Sequence, residues 1–380
     1  MIYEIFGTAP NTISGQSINP ASALRVPAVR LAVTLIAEKV GALPFKAYEQ
    51  NGDEKTVARD HPAYRLIHDW ANEDQSAEEF RALLTADALL HDNGFAFVNA
   101  VDGRPVELNR LDPERVTIQT DDRTGRPIYI YQPDKGARRI YTADEILRIR
   151  CPGGCSPIKH GRETIALCLV LEQHAAKLFG AGARPSGLLM TEKSLGDEAK
   201  GKIGNAWTTK FGPGGPGGTA ILDENMKFAP LTLNSTDAQF LEMRRFQIQE
   251  IARLFGVPVT LLGDLSNGIK SNVEQQALAF LTDTLSPWLY SWSRAYERAL
   301  FPTEERPLYR VEAVVDGLMA ADTAAKFTAI REGRSSGVIT ANDARRLLNL
   351  PALPDGDRLE NPYVQSGKSL SVGKSEDDSE

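Results

Sequence analysis

The stretch that most constrains this chain runs from Ser235 to Pro287. Phe240, Met243, Ile248, Ile251, Leu254 and Phe255 recur at helical spacing, with Glu242, Arg244, Arg245, Glu250 and Arg253 on much of the remaining surface. Thr236 and Gln239 have the spacing of a capping box at the start. Gly256 followed by Pro258 is a stop signal: a glycine free to turn left-handed, then a residue that cannot continue a helix. A polar segment, Asp264 to Asn272, has Gly263 before it, Gly268 within it and one cation, Lys270. A second periodic segment opens at Val273 and runs through Pro287. On spacing alone this is an ordinary helix–loop–helix in a core.

Around it the pattern alternates between helix and strand signals. Residues 1–21 read as an extended or poorly ordered arm. Pro27 opens a helix to about Val40, Leu43 to Tyr48 alternates as a strand, and Asn51-Gly52 is a hairpin turn. His61 to Trp70 reads as a short helix, and Ser76 to Glu79 as a capping box for a helix ending near Asp92. From Gly94 to Arg150, short alternating runs punctuated by Asp102-Gly103, Asp112-Pro113, Thr124-Gly125 and Pro133-Asp134 predict an antiparallel meander. One helix is expected from Ser156 to about Phe179. Residues 184–233 form an insertion of strand, helix with Trp207, a glycine-rich loop and further strand pieces. Trp288, Leu289, Trp292, Tyr296, Leu300 and Phe301 make an aromatic stripe suited to a core or a subunit contact. Leu308 to Val315 alternates as a strand, and 320–332 and 340–350 read as helices, the second capped by Thr340. The last residues, 364–380, have too few apolar groups to fold.

Composition excludes several function classes. The 380 residues carry a formal net charge of −7, a poor footing for sequence-specific duplex binding. Three cysteines make no disulfide scaffold, and Cys151 and Cys155 lack a second ligand pair at zinc spacing. No apolar run is long enough to cross a membrane, and no secretory pattern opens the chain. The glycines at 180–182 follow a helix and precede a strand, the reverse of a dinucleotide fingerprint. The glycine loop 212–218 lacks the Lys-Ser/Thr of a phosphate loop. His61, His68, His91, His160 and His174 are scattered, and no nucleophile elbow is present. No enzyme and no cofactor is therefore expected.

At Glu250 to Pro258, Leu262-Gly263, Asn272 to Gln275 and Thr284 to Pro287 the sequence resembles the portal proteins of tailed bacteriophages, in the HK97 branch that includes gene transfer agent portals. Gly154 to Ile158 and Ala181 to Gly187 extend the resemblance, which covers about residues 25–350. It implies an α+β portal-type subunit with long stem helices, an α/β clip insertion, a mixed wing and a short helical crown. The wing would be 25–157 with 273–325, after an N-terminal arm, 1–24. The stem would be 158–183 and 234–256, the clip 184–233, the tunnel loop 257–272, the crown 326–352, and the tail 353–380. Such subunits form a ring, usually of twelve, at one capsid vertex of the virion, assembled in the host cytoplasm. Double-stranded DNA passes through its channel without sequence readout. Terminase large subunit, head–tail adaptor and major capsid protein are the implied partners, with no membrane. The resemblance places Asp264, Ser266, Asn267, Lys270 and Asn272 in the channel loop, and Trp207, Lys210 and Phe211 on the docking surface. A protein-binding adaptor without a channel is the competing reading; it would be a monomer or dimer, not a large ring.

Overall fold

The computed structural model describes residues 12–51, 54–180, 187–191, 196–211, 226–230, 235–264, 273–315, 323–348 and 352–359. The expected arm is packed from Thr12 onward. Thr12 Oγ1 donates to Gln16 O at 2.9 Å and Ile18 is buried. Asn19 and Ser22 then cap each other at a one-turn helix, α1 (Pro20–Ala23). Pro27 sits in the first turn of α2 (Pro27–Ala42), where its missing N–H costs nothing. Strand β1 (Phe45–Asn51) pairs with β2 (Glu54–Val57), Asn51 standing opposite Glu54; Gly52 of the expected turn lies outside the described residues.

Helices α3 (Pro62–His68) and α4 (Ala77–His91) follow, the latter with the Ser76–Glu79 box in place. A Cβ on Gly41 would lie 2.8 Å from Glu78 O and 2.9 Å from Ala82 Cβ, so α2 crosses α4 backbone to backbone. Arg81 is fully buried beside this crossing. It donates to Ile67 O at 2.7 Å, Gly41 O at 2.9 Å and Leu43 O at 3.1 Å. These carbonyls lie at or just past the C-terminal ends of α2 and α3, the negative ends of two helix dipoles. Orphan carbonyls, rather than a carboxylate, hold this buried cation.

The region after Gly94 corrects the expected meander. Strands β3 (Asn93–Val101) and β4 (Arg104–Leu111) form a hairpin across Asp102-Gly103, both with positive φ. Strands β5 (Val116–Thr120), β6 (Pro127–Tyr131) and β7 (Arg139–Tyr141) make a separate sheet, while β8 (Ile146–Arg150) returns to pair with β3. Phe95, Leu111, Ile146, Tyr129 and Tyr141 pack as one cluster spanning both sheets, which explains the split. Local turn signals set the hairpins, but this shared core decides which edge β8 joins.

The single helix expected from Ser156 is two: α5 (Pro157–His160) and α6 (Arg162–Gly180), parted at Gly161. A Cβ on Gly161 would overlap Leu254 Cδ2 at 2.0 Å. That leucine belongs to α8 (Ser235–Phe255), introduced after β9 (Gly187–Met190), α7 (Asp197–Phe211) and β10 (Lys227–Pro230). Strands β9 and β10 form a two-stranded antiparallel sheet. Helix α8 begins at Ser235, which places Thr236 inside the helix rather than at its cap.

The two segments expected around Pro287 are one continuous path: α9 (Val273–Ala279), a π-helical turn (Phe280–Leu285) and α10 (Ser286–Leu300). Proline has no N–H to give, and the widened turn before it accommodates the gap. The aromatic stripe is core: Trp288, Trp292, Tyr296, Leu300 and Phe301 are each at most 3% exposed. Trp292 Nε1 donates to Thr85 Oγ1 at 2.9 Å, and its ring meets Phe80 and Tyr296. The stripe therefore offers no free surface for ring contacts. Strand β11 (Tyr309–Ala313) completes the first sheet on the other edge of β1. The chain divides into two compact units, 1–314 and 315–380. In the latter, α11 (Thr323–Ser335) and α12 (Ala341–Leu347) follow the expected pattern, with a Thr340–Asp343 box.

Candidate functional site

The polar segment between α8 and α9 is framed by a set of local contacts. Helix α8 ends in a Schellman arrangement. Val257 N–H reaches Ala252 O at 2.9 Å, Gly256 N–H reaches Arg253 O at 3.2 Å, and Gly256 takes φ 66°. Pro258 then starts a short 3-10 turn (Val259–Leu262), closed by Gly263 at φ 91°. Asp264 is half-buried at the edge of the described chain. Ser266, Asn267, Lys270 and Asn272 lie outside the described residues.

What the structure adds is the frame. Thr284, in the π-helical turn, donates to Gly256 O, locking the outgoing turn to the returning helix. Thr260 Oγ1 bonds Gln276 Oε1 at 2.5 Å, a second tie closer to the segment. A cavity of about 470 Å³ lies below, lined by Arg253, Gly256, Pro258, Phe280, Asp283 and Thr284 among others. Sequence reasoning gave Thr284, Thr260 and Gln276 no role. Gly256 was the usable signal, because a left-handed C-terminal turn leaves a carbonyl needing a partner.

The insertion is built more thinly. Among the described side chains of α7, Ala199, Ile203 and Trp207 are half-buried, on one face at four-residue spacing. Trp207 is half-buried, not enclosed; Lys210 is exposed, and Phe211 ends the helix. No cluster among the described residues has the His, Cys, Asp or Glu groups to hold a metal. Burial pushes the Cys151 thiol up to about 12 and the Cys168 thiol to about 11, so neither is a ready nucleophile at neutral pH.

The family described as "Phage portal protein" matches residues 27–349. The chain belongs to the phage portal protein family. The portal protein of Enterobacteria phage HK97 is 29% identical over 363 residues, covering 92% of this chain and 84% of that one. A chain from the virion of a native gene transfer agent particle aligns with TM-score 0.64 at 21% identity, covering 93% of this portal subunit and 99% of that chain. A chain from the neck of the native particle, computed with C12 symmetry, gives TM-score 0.61 at 20% identity, covering 88% and 94%. At such identities the two structures speak for a portal-type fold. The family is a structural, non-enzymatic one.

Proposed function

We propose that this protein assembles into a closed ring at one capsid vertex, through which double-stranded DNA is packaged and later ejected. The family match across residues 27–349 carries the reading. Twelve copies is the number proposed, because the similar neck chain comes from a particle computed with C12 symmetry. Helices α6 and α8 serve as the stem, 25–157 with 273–325 as the wing, 326–352 as the crown. The insertion 184–233 serves as the clip, docking the terminase large subunit and then the head–tail adaptor. The wing meets the major capsid protein, and the site of action is the virion.

Residues 257–272 form the channel loop in this reading. A channel that moves DNA both ways works against tight phosphate contacts, each of which adds affinity and salt dependence. Asp264 and Lys270 nearly cancel, and Ser266, Asn267 and Asn272 are uncharged. Ties such as Thr284 to Gly256 and Thr260 to Gln276 support the reading, because they give the loop fixed ends. Ring symmetry multiplies Lys270 into one basic collar.

Deleting residues 265–270 tests this. Electron microscopy should still show closed rings, while particles built from the variant leak or stall DNA. Lys270→Glu should alter retention in a salt-dependent way. Deletion particles that fill and hold DNA normally would remove the loop from the mechanism. A monomer or dimer at micromolar concentration across salt conditions would remove the ring.

A further inference from the structure

A groove of about 270 Å³ lies between α2, α6 and α8. Val26, Leu31, Leu171, Ile248 and Leu262 give it an apolar wall, and Cys168 lies on it. The Cys168 thiol faces the buried Gln247, with Sγ 3.8 Å from Oε1. Arg244 and Glu172 both line the groove, and Arg244 makes no ion pair among the described residues. A cavity of about 150 Å³ takes a benzene ring, so this groove has room for a phenyl ring and an aliphatic neighbour.

The chain outside the described structure carries groups of that chemistry. Residues 1–11 read Met-Ile-Tyr-Glu-Ile-Phe-Gly-Thr-Ala-Pro-Asn, with Ile2, Tyr3, Ile5 and Phe6 as its large apolar groups. The described chain begins at Thr12, and Ile13 N–H bonds both oxygens of Glu163 near the start of α6, at 3.1 and 3.2 Å. From there Cys168 is five residues along α6, an axial rise of about 7.5 Å on a helix ~10–12 Å across. Seven residues back from Ile13, extended at about 3.3 Å each, reach roughly 23 Å to Phe6. Glu4, two residues before Phe6, is of the sign that Arg244 lacks.

We propose that residues 2–6 dock in this groove of their own subunit, Phe6 and Ile5 filling it and Glu4 facing Arg244. The segment ties the helix pair α6–α8 to α2 from outside. This does not rest on ring assembly. Met243 and Phe246 are exposed on α8 and could plug the groove of a second copy instead; the test separates the two occupants.

The full-length protein is alkylated with N-ethylmaleimide, and each cysteine is followed by peptide mass spectrometry, Cys155 serving as reference. Removing residues 2–7, or Phe6→Asp alone, should speed Cys168 labelling by about tenfold, the effect of exposing a covered site, and leave Cys155 unchanged. An unchanged Cys168 rate in both variants overturns the proposal. Phe6→Cys oxidised with diamide gives a reading that does not depend on a disruptive deletion. A disulfide within one chain, joining the introduced thiol to Cys168, is expected; a link between two chains, or none, overturns the proposal.

Discussion

The crossing of α2, α4 and α10 and the insertion carrying α7 store stability differently. At the crossing, Arg81 and Trp292 are 0% exposed, Gly41 lets two backbones touch, and the guanidinium and the indole N–H both have acceptors. In the insertion, β9 and β10 pair with each other, and α7 presents a line of three half-buried residues, Ala199, Ile203 and Trp207. The first region is held by contacts that no short stretch of sequence contains. Among the described residues of the second, α7 offers only that stripe, and most of the helix is exposed.

The largest expected effect lies at Arg81. Arg81→Met keeps much of the apolar stem but leaves Ile67 O, Gly41 O and Leu43 O without their donor. Unsatisfied buried groups cost about 1–3 kcal/mol each, so three of them set the expected loss at about 3–9 kcal/mol. Urea unfolding should show it as a lower midpoint with an unchanged slope. A cost below about 1 kcal/mol would mean that the crossing does not depend on the cation.

This contrast also marks what the sequence made legible. The box at Ser76–Glu79, the cap at Thr340 and the turn at Asp102-Gly103 are local, and the structure keeps them. So are the Gly256 stop and the strands at 45–51 and 309–313. The break at Gly161 was not legible; the close neighbour there, Leu254, comes from far along the chain. Nor was the return of β8 to β3, which depends on a core shared by two sheets. Burial of the aromatic stripe was left open between core and subunit contact, since spacing cannot tell one covered face from another. At the candidate loop, its ends were legible and the threonine ties were not.

Next come two tryptophans that break the comparison if they behave alike. Trp292→Ala removes a fully buried ring and should cost about 3–5 kcal/mol. Trp207→Ala removes a half-buried one and should cost roughly 1–2 kcal/mol. The second loss should be local: amide exchange should speed within 197–211 while α4 and α10 keep their protection. If the clip reading holds, motor docking weakens in that variant while ring formation survives. Equal global destabilisation by both would show the insertion to be as firmly built as the crossing.

The smallest effect belongs to Asp92, at the dense end of the molecule. It caps α4 in a left-handed turn, φ 73°, accepting from Ser156 N–H at 2.6 Å and from Lys159 Nζ. Burial pushes its carboxyl up, but the bonds from Lys159 and Ser156 outweigh that and hold it below the usual range. A carboxyl depressed in the folded state stabilises fully above its unfolded value near 3.8 and loses that contribution as pH falls through the folded value. Asp92→Asn keeps the left-handed turn, which asparagine tolerates, and an oxygen for Ser156, and loses only the charge toward Lys159. Lys159 is 54% exposed at its side chain, so the cost at pH 7 should be about 0.2–1 kcal/mol. Below pH 3.8 the variant and the parent should begin to converge, meeting once pH has fallen through the folded value, read as melting temperatures across about pH 2–7. A loss near that of Trp292→Ala would make position in the dense region, not burial of the individual group, the quantity that sets the cost.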